Sequence, residues 1–197
     1  ENLIAVASGA NDELTAEQVT EALEKLLVPG DVVLSNLEIP DDAVLAAARE
    51  SRRRGSRFLL NPAPARPLPA DLLALCDVLT PNEIEARTLG LDLAVESPPD
   101  RPFDVVVTRG SAGADLLRPG ARVHHEDAFS VEVVDTTGAG DAFSATLSWA
   151  IANGHSLEAA VRFAAAGGAL ATRKMGARAG FGSRWEVEAL VATRCNV

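Results

Sequence analysis

The sequence of 197 residues is poor in cysteine and in long hydrophobic runs. Its two cysteines, Cys76 and Cys195, fit neither a metal site nor a disulfide framework, which favours a reducing, cytoplasmic location. No stretch reaches the roughly 18 unbroken apolar residues that a membrane span needs. Internal repeats and low-complexity tracts are also missing. Because the sequence does not begin with methionine, we expect its natural N-terminus to lie upstream of Glu1.

Basic residues are in the minority, with 18 Lys and Arg against 28 Asp and Glu, a formal net charge of −10. This balance argues against a general nucleic-acid or anionic-membrane binder. It leaves room for a local anion site, because backbone N–H groups at the start of a helix can supply one. The length and the hydrophobic content of 47% suit one folded domain with a real core.

Segments with strand and helix patterns alternate along most of the chain. The predicted strands lie at 2–7, 31–38, 57–61, 77–80 and 103–110, and the predicted helices at 15–27, 40–54, 70–75, 82–89, 140–153, 156–172 and 183–193. Residues 114–120 and 121–126 are predicted to form an antiparallel hairpin, in which His124 and His125 point to opposite faces as ordinary edge-strand residues. The order predicts a single α/β domain, 1–197, with a mostly parallel central sheet flanked by helices and an antiparallel edge hairpin.

The string DTTGAGDAF at 135–143 follows a strand and opens a helix. Its Gly-Ala-Gly turn leaves backbone N–H groups unpaired at the helix start, where they form a cradle for an anion. Asp141 in such a cradle would repel a passively bound phosphate. It is well placed if it accepts the proton of an alcohol while the N–H groups hold the phosphoryl group under attack. The simpler interpretation, a helix N-terminal acid after a tight turn, suits an isolated G-x-G-D better than this whole string.

DTTGAGDAF closely resembles the C-terminal signature of the ribokinase-like (PfkB-type) sugar kinases. Other segments resemble the family in the same order: GAN at 9–11, LSNLE at 34–38, NPAPAR at 61–66, TPNEIEA at 80–86, VTRGSAG at 107–113 and TRKMGA at 172–177. A Walker A sequence is missing, which excludes a P-loop kinase. The resemblance implies a ribokinase-like fold, with 1–8 as a remnant of a lid strand and 9–197 as the nucleotide-binding core.

The resemblance also implies an activity, the ATP-dependent phosphorylation of a sugar hydroxyl. Asp141 would be the base, and Gly138, Ala139 and Gly140 would form the anion hole. Glu38 matches an acid that contacts the sugar, although it is also compatible with a strand-end acid that serves a turn. NPAPAR and LSNLE favour D-ribose as acceptor and ribose 5-phosphate as product, while fructose, a ketodeoxy acid and a nucleoside stay open.

Two further motifs would serve the nucleotide. Asn82 and Glu85 match the family's N-x-x-E motif, which organises Mg²⁺ and phosphate through water. Residues i and i+3 of a helix point the same way, so the spacing is sensible, and the pair also fits a helix-capping box. The ATP-carrying loop is matched, together with Gly140, by Thr108, Gly110, Ser111 and Gly113. Without the resemblance, TRGSAG is only a turn between strands.

A monovalent-cation site is implied beside the anion hole. Asp135 and Thr137 match two of its residues, and the remaining ligands would be backbone carbonyls near Ala171, Lys174 and Gly176. A K⁺ ion there would hold the anion-hole loop in place by its charge. Gly180 stands where the family commonly has a serine.

The family's sugar-binding N-terminal portion, and the lid through which a full-length homodimer would form, have no counterpart in the sequence. Two hypotheses therefore stand: the nucleotide-binding part of an ATP-dependent sugar kinase, or a non-catalytic relative that binds nucleotide or a partner. Asp141 counts against the second, because a chain that transfers nothing has no need of a base there.

Overall fold

A computed structural model describes residues 7–91, 101–121 and 123–194 of the chain. Nearly all of the predicted first strand, and with it the expected lid remnant, lies outside the described residues, as does Cys195. Within the described part, no helix is both long enough and apolar enough to span a bilayer.

The centre of the fold is a six-stranded sheet whose strands lie side by side in chain order. The strands are β1 (Val32–Ser35), β2 (Arg57–Leu60), β3 (Val78–Leu79), β4 (Asp104–Thr108), β5 (Ala114–Leu117) and β6 (His124–Glu126). The first four are parallel, and β5 and β6 continue the sheet in antiparallel fashion. The predicted parallel sheet with an antiparallel edge hairpin is confirmed.

Besides two short 3₁₀ helices at Gly9–Glu13 and Gly110–Ala112, seven α-helices accompany the described strands. They are α1 (Ala16–Leu26), α2 (Asp41–Arg54), α3 (Ala70–Leu73), α4 (Glu83–Thr88), α5 (Ala139–Ala152), α6 (Leu157–Ala171) and α7 (Arg184–Ala192). Capping boxes open α1, α4 and α7, each closed by two reciprocal hydrogen bonds between the N-cap residue and the residue three positions later. These helices lie where the sequence predicts them, to within one or two residues at most ends.

The sheet separates two apolar cores, because successive side chains of a strand point to opposite faces. Leu59 of β2 joins the core under α5, α6 and α7, whereas its neighbours Phe58 and Leu60 join the core under α2, α3 and α4. Helix α1 has no buried residue and packs outside α2. The result is a three-layer α/β arrangement with helices on both faces of the sheet.

The carboxyl ends of β1 to β4 meet at one edge of the sheet. Asn61 and Thr80 follow β2 and β3 directly, and Thr108 ends β4. Helix α5 begins beside them. In open α/β sheets this edge is where ligands bind, which makes it the place to search for a functional site.

Candidate active site

A cleft of about 180 Å³ opens at this edge of the sheet. It brings together Asp141, two residues of the Gly-Ala-Gly turn, both residues of N-x-x-E and the first residue of the predicted ATP loop. The lining consists of Asn61, Ala63, Thr80, Asn82, Glu85, Thr108, Gly138, Gly140, Asp141 and Ser144. Sequence positions more than 80 residues apart thus meet in one small space.

The Gly-Ala-Gly turn forms the N-terminus of α5. Gly138 is the N-cap, in the left-handed conformation with φ of 80°, and a Cβ built on it would lie 2.4 Å from the carbonyl oxygen of Ala177. The N–H of Ala139 donates to the Thr136 carbonyl at 3.2 Å. Among the described residues, the N–H groups of Gly138 and Gly140 have no such partner. The turn therefore offers an anion these two glycine donors, whereas the donor expected of Ala139 is already engaged.

Asp141 lies in the first turn of α5, and its side chain is exposed in the cleft. The helix N-terminus is the positive end of the helix dipole, a favourable position for an acidic side chain. Its place beside the free N–H groups is the one that the sequence predicts.

Asn82 and Glu85 form the capping box of α4. The Asn82 N–H donates to Glu85 Oε2 at 2.7 Å, and the Glu85 N–H donates to Asn82 Oδ1 at 2.9 Å. Burial raises the pKa of Glu85, and the hydrogen bond from Asn82 opposes that shift. The capping interpretation is confirmed, and because both residues also line the cleft it coexists with a role towards a ligand.

The predicted ATP loop directly adjoins this motif. Asn82 and Thr108 form a parallel β-bridge, and the Thr108 N–H donates to the Pro81 carbonyl at 2.9 Å. Thr108 lines the cleft, whereas Gly110, Ser111 and Gly113 do not. A Cβ on Gly113, whose φ is 90°, would lie 2.1 Å from the Glu126 carbonyl oxygen, so packing alone requires this glycine.

A chain of ion pairs fixes the base of the loop. Arg109 contacts Asp115 at 2.7 Å and Glu83 at 3.4 Å. Asp115, in β5, also contacts Nδ1 of His125 at 2.6 Å, and Nε2 of His125 lies 3.3 Å from Asp127. His125 is thus part of an ion-pair network, and the expectation that it is merely an edge residue is incomplete.

We expect the substitution His125→Gln to lower the melting temperature more at about pH 6 than at about pH 9. The hydrogen bond that His125 donates to the Asp115 carboxylate, followed by the charges of Asp115 and Asp127, raises the pKa of His125. A raised folded-state pKa stabilises the fold fully below the unfolded pKa of 6.5 and loses its effect as the pH rises through the folded value. Because the His125 side chain is 46% exposed, the pair should contribute no more than about 1 kcal/mol. Thermal denaturation across this range measures it, and an equal loss at both pH values would contradict the assignment.

The structure brings some of the residues expected at a cation site into contact with one another. Asp135 Oδ1 accepts from the Thr137 N–H at 2.9 Å, and Oδ2 accepts from the Gly176 N–H at 2.7 Å. These two N–H groups, that of Gly176 most strongly, hold the pKa of Asp135 below its usual value. The carbonyl of Thr172 accepts from the N–H groups of Val134 and Asp135, so the segment after α6 lies against the loop before α5.

For Ala171 and Lys174, two of the residues expected to supply carbonyl ligands, the structure shows other contacts. A Cβ on Gly180 would be 2.0 Å from the Ala171 carbonyl oxygen, so that oxygen packs against Gly180. The same contact leaves no room for a serine side chain at position 180. Lys174 lines a second cleft, also of about 180 Å³, together with Arg173 and Phe181.

Glu38 is the predicted site residue that the structure leaves outside. It is exposed, its N–H donates to Asn36 Oδ1 at 3.1 Å, and it is not among the residues that line the cleft. In the described part of the chain it behaves as a turn residue after β1.

Three polar cleft residues have no role predicted from the sequence: Asn61, Thr80 and Ser144. Asn61 Nδ2 donates to Ser144 Oγ at 3.4 Å, and Ser144 Oγ lies 3.2 Å from Thr80 Oγ1. Thr80 and Ser144 are each only 3% exposed. The sequence did contain a signal for these residues. Asn61 and Thr80 are the last residues of predicted strands and the first residues of the motifs NPAPAR and TPNEIEA, and Ser144 lies one helical turn after Asp141.

Comparisons with known proteins agree with this geometry. The family model described as pfkB family carbohydrate kinase matches residues 1–183. The chain is 38% identical to the ribokinase of Bacillus subtilis, over 98% of this chain and 65% of that protein, and 36% identical to the ribokinase of Haemophilus influenzae, over 94% and 63%. It therefore spans a little less than two thirds of these relatives.

Solved structures show the same relationship. A ribokinase from Thermotoga maritima superposes with a TM-score of 0.82 at 31% identity, covering 98% of this chain and 66% of that one. The Arabidopsis thaliana ribokinase, solved with ribose and ATP, gives a TM-score of 0.79 at 29% identity and covers 97% and 65%. The family model, these relatives and the arrangement of the cleft lead to one conclusion: the chain belongs to the pfkB family of carbohydrate kinases.

Proposed function

We propose that this chain carries the phosphoryl-transfer site of an ATP-dependent sugar kinase, with D-ribose as the acceptor. The observation that carries the proposal is the position of Asp141 in one cleft with the free N–H groups of Gly138 and Gly140. The carboxylate would accept the proton of the sugar hydroxyl while the N–H groups stabilise charge on the transferred phosphoryl group. Ribose is favoured because the similar proteins from two bacteria are both ribokinases.

The glycine at position 140 supports a ligand at this turn. A Cβ built on Gly140 meets nothing within 4 Å, and its backbone is not in the left-handed region. Glycine costs about 1 kcal/mol relative to alanine within a helix, and nothing in the described fold requires it here. Close approach of a phosphate group to the backbone accounts for it.

The cleft also suits Mg²⁺. Its lining contains the carboxylates of Glu85 and Asp141 and neither lysine nor arginine, so the charge of a bound triphosphate needs a cation. The described residues hold no cluster of three His, Cys, Asp or Glu side chains that would chelate a metal directly. Mg²⁺ usually retains several water ligands, and Asn82 and Glu85 would hold it through them. When bound, the cation would neutralise charge that develops on the phosphate oxygens.

A monovalent cation held by Asp135 would act on the Gly-Ala-Gly turn from the side of Asp135 and not from within the cleft. Asp135 stays ionised at neutral pH, since the N–H groups of Gly176 and Thr137 lower its pKa, and its oxygens retain further lone pairs. We expect activity to fall roughly tenfold when K⁺ is replaced by a large organic cation. The variant Asp135→Asn should lose this K⁺ response, as steady-state rates at constant ionic strength would show. Equal rates of the parent chain in both salts, or a K⁺ response that Asp135→Asn retains, would contradict a cation role for Asp135.

ADP release by the chain with ATP, Mg²⁺, K⁺ and D-ribose tests the main proposal. We expect release that depends on ribose and saturates with it, and we expect weaker stimulation by D-fructose or adenosine. A reaction without sugar measures background ATP hydrolysis. A stronger response to another acceptor would retain the kinase and replace the sugar.

The exposure of Glu38 outside the cleft favours a second candidate, a chain that binds nucleotide without transferring phosphate. ATP binding by calorimetry, combined with no sugar-dependent ADP release, would support this candidate over the first.

A further inference from the structure

An amide oxygen in the wall of the cleft has no partner. Oδ1 of Asn61 is shielded from solvent and accepts no hydrogen bond from the described residues. A buried acceptor without a partner is unfavourable, and native structures keep few of them, commonly where a ligand or a water molecule completes the bonding. Asn61 is one of the residues that line the cleft, so a ligand bound in the cleft would lie beside this side chain.

Hydrogen bonds among residues of α5 and of the ends of β2 and β3 hold this amide in place. Asn61 directly follows β2, and its Nδ2 donates to Ser144 of α5. The Ser144 hydroxyl also bonds to Thr80, which directly follows β3. Because the amide nitrogen is engaged with Ser144, the oxygen is the atom left for a ligand. The Ser144–Thr80 pair also ties Asn61 to the segment that carries Asn82 and Glu85.

The chemistry of the surroundings identifies the ligand as a hydrogen-bond donor. Glu85 and Asp141 supply carboxylates to the same cleft, and no lysine or arginine lines it. Phosphate oxygens are acceptors and would face Asn61 Oδ1 unfavourably. The water molecules of a hydrated divalent cation are donors whose polarity the cation increases.

We propose that Asn61 is a positioning residue for Mg²⁺, its amide oxygen accepting a hydrogen bond from a water ligand of the cation held near Glu85. This inference rests on the proposed function and adds a residue from another strand to the N-x-x-E pair. Partners beyond the direct ligands of a metal orient those ligands, and their loss weakens metal binding.

Calorimetric binding of the β,γ-imido analogue of ATP tests the inference without turnover. The affinity gain is the ratio of the dissociation constant in EDTA to that in Mg²⁺. We expect Asn61→Leu, similar in size, to reduce this gain roughly tenfold and to leave the metal-free constant unchanged. Asn61→Asp, which keeps an acceptor, should restore the gain. The matched control Asn153→Leu, at the exposed end of α5, should behave as the parent chain.

Stability separates this role from a structural one. Asn61→Leu removes an acceptor that lacks a partner and also the long 3.4 Å hydrogen bond to Ser144, and because these two losses act in opposite directions the melting temperature of the ligand-free protein should change little. If that variant fails to fold, Asn61→Ala replaces it, since it leaves the Ser144–Thr80 bond in place. If a folded Asn61→Leu variant keeps the affinity gain of the parent chain, the role of Asn61 is overturned and the proposed magnesium site stands. A parent chain that gains no affinity from Mg²⁺ overturns both the inference and the proposed magnesium site.

Discussion

Replacing Asp141 by asparagine is expected to lower sugar-dependent ADP release by a factor of roughly 10³, within the 10²–10⁴ range of general-base catalysis. Asparagine preserves the shape of the side chain but cannot accept the hydroxyl proton. The free N–H groups of Gly138 and Gly140 remain in the variant, so nucleotide binding should survive. Steady-state kinetics should therefore show the loss in kcat, with little change in the KM for ATP.

The fold should tolerate this change. Asp141 is exposed, and its charge at the helix start contributes about 0.3–1 kcal/mol at most. Glu158→Gln is a matched control, because it removes an acid from the first turn of α6, outside the cleft. Retention of substantial sugar-dependent activity by Asp141→Asn would assign the proton transfer to another group.

Local sequence patterns were sufficient for the elements that carry the site. The capping box at Asn82–Glu85 was predicted and is present, because such a box depends on residues only three positions apart. The helix that opens at the Gly-Ala-Gly turn was predicted for the same reason and is present, but the strand expected just before the turn is wrong, because residues 127–137 form no strand. Strand ends were less accurate: DVLT predicts a strand over 77–80, but only Val78–Leu79 pair with both neighbouring strands.

Contacts between distant segments could not be predicted from local patterns. Glu126 is 5% exposed and pairs with Arg162 at 3.1 Å and Arg194 at 2.8 Å, a contact between the hairpin and the C-terminal helices. Nothing in the sequence near any of these residues indicates the others. The polar group formed by Asn61, Thr80 and Ser144 has the same origin, since sheet order and the docking of α5 bring its members together.

The family resemblance implies ligand-binding roles for two residues, Ala139 and Gly113, whose contacts in the structure are explained by the protein itself. Ala139 was expected to donate to the anion, but its N–H is bonded to Thr136. Gly113 was assigned to the ATP loop, and the hairpin backbone already requires it. A motif records which residues recur together, whereas close packing often explains a glycine without any ligand.

Gly138→Ala is the second substitution for which we expect a large effect. The left-handed conformation costs a residue with a Cβ about 1–2 kcal/mol. In addition, the new Cβ would lie 2.4 Å from the Ala177 carbonyl oxygen, and backbone on at least one side must move to relieve the contact. Movement on the Gly138 side displaces the N–H groups of the Gly-Ala-Gly turn, and losing one such donor lowers kcat by roughly 10²–10³. We therefore expect a lower melting temperature together with nearly complete loss of activity.

Gly154→Ala provides a control that isolates the contact from the backbone strain. Gly154 also has φ of 80°, it lies just beyond the other end of α5, and a Cβ on it meets nothing within 4 Å. Both variants carry the same conformational cost, so the difference between their melting temperatures measures the collision with Ala177. Gly154→Ala should keep its activity because it lies outside the cleft. Equal stability and equal activity in the two variants would show that the anion turn adapts to a side chain, and the packing of residues 176–177 against it would then not fix the position of the Gly138 and Gly140 donors.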